Sequence, residues 1–169
     1  RSPEVVWDMP EYGTFNVHAA LLPQYRGAAP INWAVINGET QTGVTTFFLD
    51  HDIDTGRIIM QKPFAIPDDA DVEYVYDGLM HLVAEICLET LERIIAADGH
   101  PESIPQEEMI SVGSELYAAP KIFKETCEIN WDQPAKKVYD FIRGLSPYPG
   151  AWCTLVSPEG KETVLKIYK

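Results

Sequence analysis

An amide and an imidazole lie two residues apart near the start of the sequence. Residues 15–18 read Phe-Asn-Val-His, alternating apolar and polar side chains, so Asn16 and His18 should project from the same face of a strand. An amide donates a hydrogen bond to a carbonyl oxygen without ionising. An imidazole stabilises negative charge or moves a proton near neutral pH. The two side chains could therefore bind one carbonyl group during an acyl transfer.

A carboxylate suited to the same reaction lies in the polar loop DHDIDTG, residues 50–56. Next to the imidazole of His18, Asp54 could orient the ring, hold it in the charged form and accept a proton from an attacking amine. Together with Asn16, these groups would suit the transfer of an acyl group to an amine. By spacing alone this is a weak signal, because an Asn near a turn and a surface His are common.

The same loop permits two other interpretations, both of which we discount. Asp-Thr-Gly at residues 54–56 is also the triplet of aspartic proteases, but that chemistry needs two such carboxylates and the sequence holds one copy. His51 could join Asp52 and Asp54 in a metal site. However, no second His or Cys lies at ligand spacing, so a solvated loop is the better expectation.

The elements that must position these residues are predicted to be strands and helices of an α/β fold. The predicted strands are 14–18, 42–48 and 57–66, the last two forming an antiparallel hairpin around the Asp54 loop. A short helix is predicted to begin at Pro30 and to end near Gly38. Asp71 should cap a long helix that ends at Gly99. The apolar stripe predicted for that helix comprises Val72, Val75, Tyr76, Leu79, Val83, Ile86 and Thr90.

The second half of the sequence is organised differently. Residues 100–114 hold two prolines and no apolar period, which is typical of a linker. A further helix is predicted from Val138, Phe141, Ile142 and Leu145 at helical spacing. Short strands are predicted at 151–157 and 164–168, on either side of the turn Pro-Glu-Gly at 158–160.

Composition excludes some classes of protein. The chain has 169 residues, and no apolar run approaches membrane-spanning length. Its formal net charge is −13, from 13 basic and 26 acidic residues. The acidic excess lies in residues 1–120, whereas residues 121–169 hold eight basic and six acidic residues. The three cysteines are widely spaced, with neither a disulfide framework nor a zinc spacing, so a reducing cytoplasm is expected.

The run NVHAALLPQYRGAAP, residues 16–30, resembles the signature of the 10-formyltetrahydrofolate-dependent formyltransferases. The triplet NGE at 37–39, TGVT at 42–45 and DTG at 54–56 follow in that family's order and spacing. The resemblance implies the C-terminal half of a Rossmann-like formyltransferase domain. It also implies site residues, namely Asn16, His18 and Asp54 as the catalytic trio and Asp50, His51, Asp52 and Ile53 as residues that bind 10-formyltetrahydrofolate. It implies no metal.

Three later runs extend the resemblance. YAAPKI at 117–122, INW at 129–131 and IRGLSPYPGAW at 142–152 resemble the C-terminal domain of those family members that formylate methionyl initiator tRNA. That domain contains an OB-like barrel and contacts tRNA.

The resemblance also implies how the chain divides into domains and how much of the whole enzyme it covers. Residues 1–97 should be part of the catalytic domain, 98–116 a linker, and 117–169 the beginning of the OB-like domain. The chain is expected to be a fragment that lacks the N-terminal part of the catalytic domain and most of the C-terminal domain.

The function implied is transfer of a formyl group to the amine of methionyl initiator tRNA, with folate as co-substrate. An alternative is a formyltransferase that acts on a nucleotide amino sugar, although RGAAP at 26–30 and the C-terminal match favour the tRNA enzyme. A third possibility is a catalytically silent fragment that associates with itself. Lys121, Lys124, Lys136, Lys137 and Arg143 could contact tRNA phosphates, or could form an ordinary surface of mixed charge.

Overall fold

The sheet that carries the predicted site is antiparallel and has three strands. In the computed structural model, which describes residues 3–168, its strand order is β1 (Phe15–His18), β3 (Gln41–Phe48), β4 (Ile58–Ala65). The predicted hairpin is confirmed, since β3 and β4 pair antiparallel from Gln41 and Ala65 onward. Their register shifts between Thr46 and Phe47, next to the loop that holds Asp54.

Two helices cover the sheet. They are α2 (Pro30–Ile36) and α3 (Val72–Ala96), and the first begins with the proline expected at that position. Asp71 caps α3 as predicted, because its side chain accepts a hydrogen bond from the backbone N–H of Tyr74 at 3.0 Å. Gly99 follows the helix with φ +83°, a conformation that glycine adopts without strain.

The inward stripe of α3 differs from the prediction at Tyr76, which is exposed, and at Val83, which is only partly buried; it also extends to Ile94, which was not predicted. The helix buries Val72, Val75, Leu79, Ile86, Thr90 and Ile94. Tyr76 is 52% exposed, so its assignment to this face was wrong. Val75 and Leu79 centre the stripe, and Tyr76 lies about 100° around the helix from Val75, where its hydroxyl can reach water.

The main core lies between the sheet and these helices. It includes Ala34 and Val35 of α2, Val44 of β3 and Leu79 and Ile86 of α3. A four-residue helix, α1 (Glu4–Trp7), precedes β1 and had no sequence signal.

The second half of the chain packs on the first through helices and a short strand. The helix α4 (Ala135–Gly144) contacts α2, and the hairpin of β6 (Ala151–Val156) and β7 (Glu162–Ile167) follows it. Two-residue strands β2 (Arg26–Gly27) and β5 (Ala118–Ala119) pair in parallel. Short 3-10 helices occupy Gln106–Met109 and Glu125–Cys127. Within residues 3–168, no helix has the length and apolar character needed to cross a bilayer.

Candidate active site

The structure brings His18 and Asp54 together at one end of the sheet. His18 ends β1, and Asp54 lies in the loop between β3 and β4. β1 and β3 pair antiparallel, so Phe15 lies opposite Phe48, where this loop begins, and His18 lies opposite Thr45. The Nδ1 atom of His18 lies 3.7 Å from Oδ2 of Asp54. This distance is longer than a direct hydrogen bond, so the two groups face each other without touching.

The surroundings of His18 determine which ring nitrogen could serve a reaction. The ring is buried, and its Nε2 lies 2.8 Å from the carbonyl oxygen of Tyr25. A carbonyl oxygen only accepts hydrogen bonds, so Nε2 carries a proton. Nδ1, which faces Asp54, is therefore the nitrogen left for a ligand. When doubly protonated, the ring can donate to the carbonyl and interact with the carboxylate at once.

Tyr25 is held firmly enough to orient that carbonyl. Its φ of +59° is left-handed, an uncommon conformation for a bulky residue. Its hydroxyl donates to Oε1 of Glu39 at 2.6 Å, and its ring stacks on that of Tyr117 with centroids 6.0 Å apart. Burial, followed by the hydrogen bond to Glu39, raises the pKa of Tyr25, so the phenol stays protonated.

Asn16 presents the donor end of its amide away from the backbone. Its Oδ1 accepts a hydrogen bond from the backbone N–H of Val17 at 2.9 Å. Because that contact takes the oxygen, the Nδ2 amino group lies on the other side of the amide as a hydrogen-bond donor. The residue is exposed, and it lines a cavity with Asp54.

The loop that carries Asp54 has a defined backbone. Asp54 has φ +57°, and its Oδ2 accepts a hydrogen bond from the backbone N–H of Gly27 at 3.2 Å. Earlier in the loop, Oδ1 of Asp50 accepts from the N–H of Asp52 at 3.0 Å and from the hydroxyl of Thr55 at 2.8 Å. These contacts form a side-chain turn that shapes the loop before Asp54.

A cavity of about 640 Å³ adjoins these residues, a size typical of small-molecule sites. It is lined by Trp7, Thr14, Phe15, Asn16, Gly27, Ala28, Leu49, Asp50, Asp52, Ile53 and Asp54. Three of the four residues predicted to bind folate therefore line it. The fourth, His51, does not. Its side chain is 76% exposed, and its ring packs edge-on against Trp7 with centroids 5.5 Å apart.

In the part of the chain that the structure describes, no three His, Cys, Asp or Glu side chains cluster as metal ligands would.

Sequence reasoning missed Gln106, which lies in the segment predicted as a linker. Its side chain is fully buried and hydrogen-bonds to the Asp54 loop. The only signal in the sequence is an uncharged polar residue directly after Ile104-Pro105 and before two glutamates. That signal is too weak to separate it from other linker residues.

The chain matches two family descriptions. Residues 2–91 match "Formyl transferase" and residues 121–169 match "Formyl transferase, C-terminal domain". A methionyl-tRNA formyltransferase of Bacteroides fragilis is 64% identical over 167 residues, which is 99% of this chain and 51% of that protein. The chain thus spans about half the length of the curated relatives it matches.

Solved structures show the same fold at lower identity. HypX from Aquifex aeolicus, in complex with tetrahydrofolic acid, is 26% identical with a TM-score of 0.72, and the match covers 98% of this chain and 27% of HypX. An N-formyltransferase from Helicobacter canadensis, in complex with folinic acid and dTDP-3-aminofucose, is 25% identical with a TM-score of 0.63. That match covers 77% of this chain and 46% of the other. The α/β formyltransferase fold expected from the sequence is confirmed.

Proposed function

The chain belongs to the formyl transferase family, and from that premise we propose that it acts in formyl transfer from 10-formyltetrahydrofolate to the amine of methionyl initiator tRNA. The observation that carries the proposal is the 64% identity, across 99% of the chain, to a relative named for that reaction. The His18–Asp54 pair and the cavity beside Asn16 supply the groups that such a reaction needs.

Asn16 polarises the formyl carbonyl in the proposed reaction. The amine nitrogen forms a bond to the formyl carbon, the carbonyl oxygen gains negative charge, and the bond from that carbon to the folate nitrogen then breaks. The Nδ2 amino group of Asn16 donates to the oxygen as its charge grows. A fixed donor of this kind stabilises the transition state because it needs no reorganisation during the reaction.

In the proposed reaction His18 stabilises negative charge and Asp54 transfers a proton. Through Nδ1–H, the His18 imidazolium stabilises the developing negative charge on the formyl oxygen. Asp54, which faces the ring, accepts the proton that the attacking amine loses, and this proton is afterwards delivered to the departing folate nitrogen. The 3.7 Å between Nδ1 and Oδ2 leaves the two groups within reach of one reacting centre without a direct bond between them.

The donor would be bound by the loop before Asp54. We assign Asp50, His51, Asp52 and Ile53 to this role, and the fit rests on the cavity wall formed by three of them. The apolar lining from Trp7 suits a flat ring, and the acidic residues suit its ring N–H groups. His51 would contribute only after its side chain turns from Trp7 toward the cavity.

We also propose a division of the chain that supports this role. Residues 1–97 would form part of the catalytic domain, 98–116 a linker and 117–169 the beginning of an OB-like domain that contacts tRNA. The family matches at 2–91 and 121–169 support these limits. The three cysteines are free thiols, in keeping with action in the cytosol.

A nucleotide amino sugar is the alternative acceptor. It is favoured by the similarity to the Helicobacter canadensis enzyme bound to dTDP-3-aminofucose, but at only 25% identity. A silent, self-associating chain is the other alternative, and exposed apolar residues such as Leu88 and Ile95 on α3 favour it.

The test is a formylation assay on the chain expressed with any native sequence that adjoins it. Methionyl initiator tRNA and a nucleotide amino sugar are offered in parallel, with 10-formyltetrahydrofolate as donor. We expect formylated tRNA alone, and a loss of about 10²–10³ in kcat for Asn16→Ala, His18→Ala and Asp54→Asn. His81→Ala, at an exposed residue of α3 outside the cavity, is the matched control for His18→Ala and should keep full activity. Formylation of the sugar alone would overturn the proposal. So would the absence of any formylated product together with a molecular mass of the protein that rises with its concentration.

A further inference from the structure

Gln106 is unlike the residues around it. It begins a four-residue 3-10 helix in which Glu107, Glu108 and Met109 are all exposed. Gln106 itself is 0% exposed. Burying a polar side chain costs free energy unless its groups are hydrogen-bonded, so the contacts of this amide should explain its burial.

The amide of Gln106 makes four hydrogen bonds, which is its full capacity. Its Oε1 accepts from Nε and Nη2 of Arg26 at 3.0 and 2.6 Å. Its Nε2 donates to the carbonyl oxygens of Asp54 at 2.7 Å and Gly56 at 2.8 Å. A guanidinium only donates and a carbonyl only accepts, so the two ends of the amide cannot exchange places.

These contacts meet on both sides of the Asp54 carboxylate. On one side, Gln106 holds the carbonyl of Asp54 itself, whose backbone is left-handed with φ +57°. On the other, it holds Arg26, the neighbour of Gly27, whose N–H donates to Oδ2 of Asp54 at 3.2 Å. One buried amide therefore joins the backbone of the Asp54 loop to the side chain of Arg26, in the segment whose backbone N–H contacts this carboxylate.

We propose that Gln106 is a positioning residue for formyl transfer, acting through Asp54. This inference rests on the proposed function. It makes the segment between the two halves of the chain a part of the active site's support rather than a passive connection. Because the role is exerted on the backbone of Asp54, loss of Gln106 should reduce turnover by displacing the carboxylate.

The neighbouring backbone is anchored independently of the Gln106 side chain. Ile104 and Ile58 exchange two backbone hydrogen bonds, at 2.8 and 2.9 Å. The guanidinium of Arg57 donates to the hydroxyl and the carbonyl oxygen of Ser103 at 2.8 and 2.6 Å. A substitution at Gln106 should therefore leave the segment in place and release mainly the Asp54 loop.

The first part of the test separates the two ends of the amide. Gln106→Ala removes all four hydrogen bonds, and we expect kcat to fall about 10²-fold, the loss typical of a 1 Å misplacement, with KM for both substrates little changed. Gln106→Glu keeps an acceptor for Arg26 but puts a carboxylate oxygen against the carbonyls of Asp54 and Gly56. Its kcat should fall at least as far. Wild-type turnover in Gln106→Glu would overturn the inference.

The second part is a double-mutant cycle with Asp54→Asn, chosen because asparagine tolerates the left-handed backbone. If Gln106 acts through the carboxylate, Gln106→Ala should cost no more than about twofold in kcat once Asp54 is already replaced. A merely structural role would give the same loss in both backgrounds, and that result would refute the inference.

An exposed linker residue controls for general damage to the linker. The hydroxyl of Ser114 donates to the carbonyl oxygen of Ser111 at 2.6 Å. Ser114→Ala should keep wild-type kcat, and an equal loss there would count against a specific role for Gln106. If the wild-type protein transfers no formyl group, the proposed function itself is overturned. If it is active but the losses in kcat from Gln106→Ala and Asp54→Asn are additive, only the inference about Gln106 is overturned.

Discussion

The loop that carries Asp54 passes so close to β3 that one added methyl group should displace it. A Cβ built on Gly56 would lie 1.6 Å from the carbonyl oxygen of Phe48. Gly56 is buried, and its φ lies outside the left-handed region. The cost of Gly56→Ala is therefore steric, with no added backbone strain.

The size of the displacement follows from the geometry. A Cβ atom essentially never lies closer than 3.0 Å to a neighbouring atom. The added Cβ would lie 1.6 Å from the Phe48 oxygen, so the loop or the strand must move by about 1.4 Å. Gly56 lies two residues from Asp54. A shift of about 1 Å at reacting groups costs roughly 10²-fold in rate, so we expect kcat for formyl transfer to fall by about that factor. Overpacking should also lower the free energy of unfolding by about 1–3 kcal/mol.

The assay is the formylation reaction proposed above, run on the chain with its adjoining native sequence and with both substrates saturating, combined with urea unfolding of the same preparations. Gly160→Ala is the control, because nothing lies within 4 Å of its added Cβ and its φ is +82°. It should lose roughly 1–2 kcal/mol of stability through backbone strain and keep its kcat. A Gly56→Ala protein with turnover within about twofold of wild type would refute the reasoning, because the loop would then have moved without affecting Asp54.

Two further predictions concern buried polar groups. Arg143 is 1% exposed and donates to Oδ1 of Asp140 and to the carbonyl of Ala70, both at 2.8 Å. Arg143→Met should therefore lower the free energy of unfolding in urea by about 3–5 kcal/mol. Lys136→Met removes a half-exposed partner of the same oxygen and should lower the free energy of unfolding by less than about 1 kcal/mol. Equal losses of stability in the two variants would contradict this prediction. Because the pKa of Tyr25 is raised, the folded chain keeps a proton that the unfolded chain releases above about pH 10. The free energy of unfolding should then fall with rising pH, and it should fall less steeply in Tyr25→Phe. Identical slopes of unfolding free energy against pH for the two proteins, between about pH 9 and 11, would argue against this prediction.

The elements around the site could be predicted from the sequence because their signals are local. Pro30 at the start of α2, the capping carboxylate of Asp71 and the two β-rich runs of the hairpin each act within a few residues. The inward face of α3 was predicted less well, since periodicity alone does not say how wide a stripe the sheet covers. Tyr76 lies just outside that width.

The residues of the candidate site also differ in whether local sequence signals reveal them. Asn16 and His18 belong to one strand, so their spacing indicated a shared role, and Asp54 followed from the family motif. Gln106 could not be found this way, because its importance depends on contacts with residues 50 and 80 positions away along the chain. A buried glutamine is recognisable only when the backbone carbonyls and the guanidinium that satisfy it are known. The candidate catalytic groups thus leave a signature in the sequence, whereas the residue proposed to position them is recognisable only from the folded backbone.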